Sequence, residues 1–166
     1  VAAGLSLEEL AESAFRDPVR IAWMLLLFSG VMAAAQRWGR GAALWDRAGW
    51  RVALAVGAAQ ALALMPGVSR SGATLSAGLL LGLSPSSAAE LSFLLSAPII
   101  AGAAVFKLRH VGAAELTGPF FCGIAVSALS GLLAVRFFLA LLPKRGLTPF
   151  VAYRVALAAA LLLVWR

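Results

Sequence analysis

One cysteine, one histidine and one tyrosine stand among 166 residues, and only seven side chains are acidic. Each scarcity excludes something. Cys122 alone allows no internal disulfide and no cysteine cluster, and its neighbours over 120–126 make it read as buried apolar filler. His110 alone removes a histidine-based metal site within this chain, and its setting in Lys107-Leu108-Arg109-His110 reads as a solvated loop. Charged residues make up 13% of the chain, against about a quarter in soluble domains, and 62% are hydrophobic. That balance excludes an ordinary soluble domain and points to an integral membrane protein. The net charge of +7 does not mark a nucleic-acid binder, because the basic residues punctuate apolar runs instead of lining one polar face. No signal peptide is visible and the first residue is Val1, so the chain reads as part of a longer protein, begun partway.

What is present is a series of apolar runs of helix length. Spans are expected over 19–35, 86–106, 118–142 and 149–165, after an amphipathic connector over 1–18. In that connector Ser6 and Glu9 fit a capping box. Glu8 and Glu12 share a helix face at a spacing that would suit a metal, but nothing apolar encloses them, and a solvated connector is the reading adopted. Trp45 and Trp50, in the basic loop over 37–51, fit an interfacial aromatic belt. Ser84-Pro85 starts the span at 86 as a cap followed by proline, and Pro98 is expected to kink it. Glu90 is read in the first turn of that span, either as a dipole-favoured acid or as a cavity residue paired with Arg70. Pro143 to Gly146 reads as a tight turn before the last span. Tyr153 and Arg154 lie one turn inside that span, with Arg154 either snorkelling or facing the same cavity as Arg70.

Between the first two spans lies the stretch that carries chemistry. Pro66-Gly67-Val68-Ser69-Arg70-Ser71-Gly72-Ala73-Thr74 places a guanidinium and three hydroxyls between two uncharged runs, 52–68 and 71–89. A charge in such a setting usually serves a function. Pro66 and Gly67 break a helix, and Ser69 or Ser71 can cap the next. The new N-terminus would aim backbone N–H groups at an anion, and Arg70 would add a planar fork matched to phosphate oxygens. The plainer reading is a helix cap with an arginine that reaches the surface. The flanking apolar arms are too short for comfortable spans, so 50–82 is expected to form a re-entrant helix-turn-helix hairpin. Gln60, on the first arm, reads as an interhelical hydrogen-bonding group at the cavity. With such a hairpin, one face carries Arg37, Arg40, Arg47, Arg51, Lys144 and Arg145, and the other Arg16, Arg20, Lys107, Arg109 and Arg166. The first face is assigned to the cytoplasm.

The Pro-Gly-x-Ser-Arg-Ser-x-x-Thr run at 66–74, with 60–64, 90–98 and the ending Pro149-Phe150-Val151-Ala152-Tyr153-Arg154, resembles the carboxy-terminal half of the undecaprenyl-diphosphate phosphatase (bacitracin-resistance) family. The resemblance implies an all-α fold of two inverted repeats, of which this chain would hold about one and a third: a re-entrant hairpin plus about four spanning helices. It implies a multi-pass enzyme of the bacterial inner (plasma) membrane. That enzyme would hydrolyse undecaprenyl diphosphate to the monophosphate and inorganic phosphate, recycling the carrier for peptidoglycan synthesis. It further implies that Arg70, Ser69 and Thr74 act on the phosphates and that Gly67, Ser71 and Gly72 bind the headgroup; Gln60, Glu90 and Arg154 are, from their own positions, the candidates to line the cavity. The divalent cation, Mg or Ca, would be held by the family's Glu-x-x-x-Glu pair in the first hairpin. Glu8 and Glu12 copy its spacing but lack the Ser and His that follow, so no metal ligand is assigned in this chain, and the chain alone is expected to be inactive. The partners implied are a prenyl diphosphate lipid and membrane lipid, with no nucleic acid and with a homodimer left open. The reading from another class is a small-solute transporter subunit built on inverted repeats. An acid-phosphatase-like lipid phosphatase is disfavoured because no histidine follows Ser69-Arg70.

Overall fold

The computed structural model describes residues 17–39, 41–112 and 115–165. Six α-helices account for most of them: α1 (Pro18–Trp38), α2 (Trp50–Ala61), α3 (Arg70–Leu80), α4 (Pro85–Leu108), α5 (Gly118–Arg145) and α6 (Thr148–Val164). Among the described residues the sole β feature is an isolated bridge between Ala43 and Leu83. The connector over 1–18 with Glu8 and Glu12, and the cations Arg16, Arg40 and Arg166, lie largely or wholly outside the described residues.

Local sequence explains the helix starts. Asp17 caps α1 by accepting from Val19 N, with Pro18 at the first helical position. Ser69 caps α3 by accepting from Gly72 N at 3.1 Å, and Ser84 caps α4 by accepting from Ser87 N at 3.3 Å. Between α2 and α3 the chain tightens into a 3-10 turn over Leu62–Leu64 and reverses through Gly67 at φ +88°. A Cβ there would stand 2.8 Å from both Ile21 O and Met24 Cβ, so glycine is required twice over, by dihedral and by space.

Helix α3 is the centre of the packing. Seven of its eleven residues are buried, against Leu142 alone on α5. Met32, Val56, Leu75, Leu79, Leu83, Ala88 and Leu142 form one apolar cluster around it. At Gly78 the contact with α4 is close enough that a Cβ would meet Ala88 Cβ at 2.9 Å. The α2–α3 pair leaves and returns at one end of the bundle. Ala43 N donates to Gly82 O and Ser84 N to Ala43 O, which straps the loop before α2 to the turn after α3. At the same end Gln36 Nε2 donates to Thr148 Oγ1 at 2.9 Å, and Leu147 N donates to Gln36 Oε1. Arg37, Arg47, Arg51, Lys144 and Arg145 gather there, with Trp38 and Trp50 exposed beside them.

Three helices, α1, α4 and α5, are long and apolar enough to cross a membrane; α6 has seventeen residues. The expected tight turn at Pro143 is instead the last turn of α5, which runs through Pro143 to Arg145. Pro143 has no N–H to donate to the Leu139 carbonyl, yet the helix continues past it, and the break comes at Gly146, whose φ is +59°. Cys122 is exposed on α5 instead of buried, since almost nothing packs on that helix. Pro98 lies inside α4.

Candidate functional site

A hollow of about 210 Å³ opens between the N-terminus of α3 and the helices α1, α5 and α6. Its polar wall is Ser69, Ser71, Gly72 and Arg154; its apolar wall includes Met32, Leu75, Phe138 and Phe150. Helix registers fix its depth. A Cβ on Gly72 would meet Met32 Sδ, six residues before the end of α1, and Arg154 lies six residues into α6. At about 1.5 Å per residue, both place the hollow about 9 Å below the basic end.

Arg154 is nine-tenths buried. One guanidinium nitrogen, Nη2, donates to Gly67 O at 2.7 Å, and Nε has no hydrogen-bond partner among the described residues. The hairpin turn therefore orients a cation, and the cation keeps a donor unspent. Ser69 Oγ accepts from Gly72 N and lies 3.3 Å from Ser71 Oγ; that contact uses one of the two hydroxyl hydrogens and leaves the other for an acceptor in the hollow. Helix α3 adds the positive end of its dipole. An anion of tetrahedral oxygens suits this donor set.

The sequence-predicted residues divide. Ser69, Ser71, Gly72 and Arg154 come together in the hollow. Arg154 thus faces the cavity and does not snorkel. Arg70 opens α3 with an exposed side chain, outside the hollow's lining, and its guanidinium makes no hydrogen bond or ion pair with a described residue. Thr74 is fully enclosed: its Oγ1 lies 2.9 Å from Arg70 O, 3.2 Å from Ser71 O and 2.5 Å from Ser92 Oγ, all within the protein. A phosphate cannot reach it without displacing those partners. Gly67 makes its close approach to α1 instead of to the hollow, and contributes its carbonyl to Arg154. Gln60 is buried on α2 away from the hollow's lining, and its Nε2 is without the interhelical partner expected of it among the described residues. Glu90 lies past the first turn of α4, where it accepts from Trp45 Nε1 at 2.9 Å; it neither pairs with Arg70 nor lines the hollow.

Among the described residues no three His, Cys, Asp or Glu side chains gather so as to hold a metal ion. The hollow offers no carboxylate and holds the Arg154 cation, so its lining does not fit a divalent cation. Phe138, Phe150 and Met32 were not singled out in the sequence. Membrane helices are apolar all round, so periodicity gives no sign of which aromatic faces a cavity. The one available signal for Phe150 is its place four residues before Arg154, on the same helix face.

A family model described as "Bacitracin resistance protein BacA" matches residues 1–160. A protein of Trichlorobacter lovleyi named undecaprenyl-diphosphatase is 47% identical over 161 residues, covering 93% of this chain and 58% of its own length. Proteins of the same name from Geobacter sulfurreducens and Elusimicrobium minutum are 45% and 40% identical, each over 96% of this chain and 61% of their own length. The chain thus spans about three-fifths of the length of the curated relatives it matches.

Proposed function

Because the chain belongs to the BacA bacitracin resistance family, we propose that it supplies the headgroup-gripping part of a membrane undecaprenyl-diphosphatase. The observation that carries this is the buried Arg154, held by the hairpin turn and facing Ser69 and Ser71 across one hollow. In this reading α2 and α3 form a re-entrant hairpin in a multi-pass protein of the bacterial inner membrane. The fold completes an inverted repeat in the longer protein, where two such hairpins meet near the midplane.

Hydrolysis breaks the bond between the terminal phosphorus and the bridging oxygen, while water's oxygen bonds to that phosphorus. The prenyl phosphate leaves carrying the negative charge. Such a reaction depends mainly on positioning and on charge stabilisation. Arg154, the α3 N-terminus and the Ser69 and Ser71 hydroxyls hold the phosphate oxygens. Arg70, exposed one residue from each serine, closes on the terminal phosphate as the second cation. Charge neutralisation by a divalent cation, Mg or Ca, would need carboxylate ligands that the hollow does not itself provide.

The test is phosphate release from undecaprenyl diphosphate by the full-length protein. Arg154→Ala and Arg70→Lys should each cut turnover by at least about a hundredfold, the scale of losing a strong donor to developing charge. Turnover within about threefold of the unaltered protein in both variants would refute the reading. Solute flux through proteoliposomes without phosphate release would favour a transporter.

A further inference from the structure

The hollow is not built for a bare phosphate. Beside Ser69, Ser71 and Arg154 it carries an aromatic wall, where the Phe138 and Phe150 rings lie 4.8 Å apart at 50°. Phe93 fixes the Phe138 ring from behind, edge-on at 5.7 Å and 88°. Both pairs lie within the range of favourable aromatic contacts. A hydrated anion alone gains nothing from such a wall. An anion joined directly to a branched apolar group gains from both walls at once.

We propose that the Phe138–Phe150 pair holds the first isoprene unit of a prenyl diphosphate while Arg154 and the serines hold its phosphates. The inference rests on the reading of this hollow as the diphosphate site. It adds where recognition of the lipid lies: in the unit next to the phosphate, with the rest of the tail outside. A volume of about 210 Å³ cannot enclose a chain of many isoprene units together with a diphosphate. The faces of α4 and α5 beyond it are exposed and apolar, so the tail can run along them without further selection. The site therefore discriminates against inorganic pyrophosphate and nucleoside diphosphates, which place water or a sugar where the rings stand, and is indifferent to prenyl chain length.

Steady-state phosphate release by the full-length protein in detergent, with farnesyl and undecaprenyl diphosphates, tests this. Phe138→Ala and Phe150→Ala should raise KM about tenfold for both substrates by the same factor, with kcat within about twofold. Phe138→Leu, which restores apolar volume, should recover most of the loss. The inference is overturned if KM stays within twofold, if kcat falls while KM holds, or if only the long substrate is affected. Should Phe138→Ala not fold, Phe150→Ala is read alone: a KM rise of about tenfold for both substrates upholds the inference, and one within twofold overturns it. Absence of phosphate release by the unaltered protein would instead strike the underlying assignment of the site.

Discussion

The Thr74 hydroxyl has no exposed surface and meets Ser92 Oγ at 2.5 Å across the α3–α4 contact. Thr74→Val keeps the shape and deletes that bond, leaving the buried Ser92 Oγ without this partner. An enclosed polar group so stranded costs about 1–3 kcal/mol. Thermal unfolding in detergent should show that loss, Thr74→Ser should restore stability, and turnover per folded molecule should stay within about threefold. A hundredfold fall in turnover at unchanged stability would return Thr74 to the phosphates. Gly67→Ala is the sharper lesion. It combines a left-handed φ of +88° with a Cβ pressed 2.8 Å from Ile21 O. A left-handed residue with a side chain costs about 1–2 kcal/mol and overpacking about 1–3. A drop of at least about 2 kcal/mol in unfolding free energy is expected, and with it a displaced Gly67 carbonyl and a loosened Arg154.

Helix α6 packs along α1, with Ala158 against Ala22 and Leu25, and the turn between α5 and α6 is tied to α1 by one side chain across more than a hundred residues of sequence. Gln36 accepts from Leu147 N and donates to Thr148 Oγ1, at the turn where α5 ends and α6 begins. Gln36→Leu strips the backbone N–H of its acceptor at a half-buried site, which should cost about 1–3 kcal/mol in thermal unfolding. An unchanged midpoint would show that water replaces the amide. No local pattern announces this clamp, because Gln36 and Thr148 are partners only once the bundle is assembled. The starts of α3 and α4 are different: Ser69, Ser84 and Pro85 act within three residues of themselves, so the sequence alone places them. The same reasoning reaches the serines of the hollow, which belong to the capped turn. It does not show that Thr74 points from α3 into the α4 contact, or that Arg154 is the more buried of the two cations, since burial depends on which helices cover a side chain. The wall of Phe138 and Phe150 is hidden for a further reason: α5 and α6 are apolar on most of their faces, so apart from Phe150's spacing to Arg154 the pattern does not distinguish the lipid side from the cavity side.

At the scale of the whole molecule the two ends of the bundle differ in charge and in connectivity. The loop before α2, the α3–α4 turn and the α5–α6 turn share one end, tied by the Ala43 bonds to Gly82 and Ser84 and by Gln36. Helix α4 then carries the chain to the opposite end, since Thr74 meets Ser92 in antiparallel register and α4 runs on to Leu108. The proposed re-entrant α2–α3 hairpin would count as zero crossings, and α1, α4, α5 and α6 alternate in direction. Single cysteines in a Cys122→Ser background read this directly, because Asp46, Leu81, Lys144 and His110 are all exposed. A membrane-impermeant maleimide should label Asp46→Cys, Leu81→Cys and Lys144→Cys from one side and His110→Cys from the other. The first group carries Arg37, Arg47, Arg51, Lys144 and Arg145 around it, so that side should be the cytoplasm. Labelling of Leu81→Cys together with His110→Cys would mean that the hairpin crosses once, which would separate the two loops that the Ala43 bonds hold together and would place Ser69 and Arg154 in different environments.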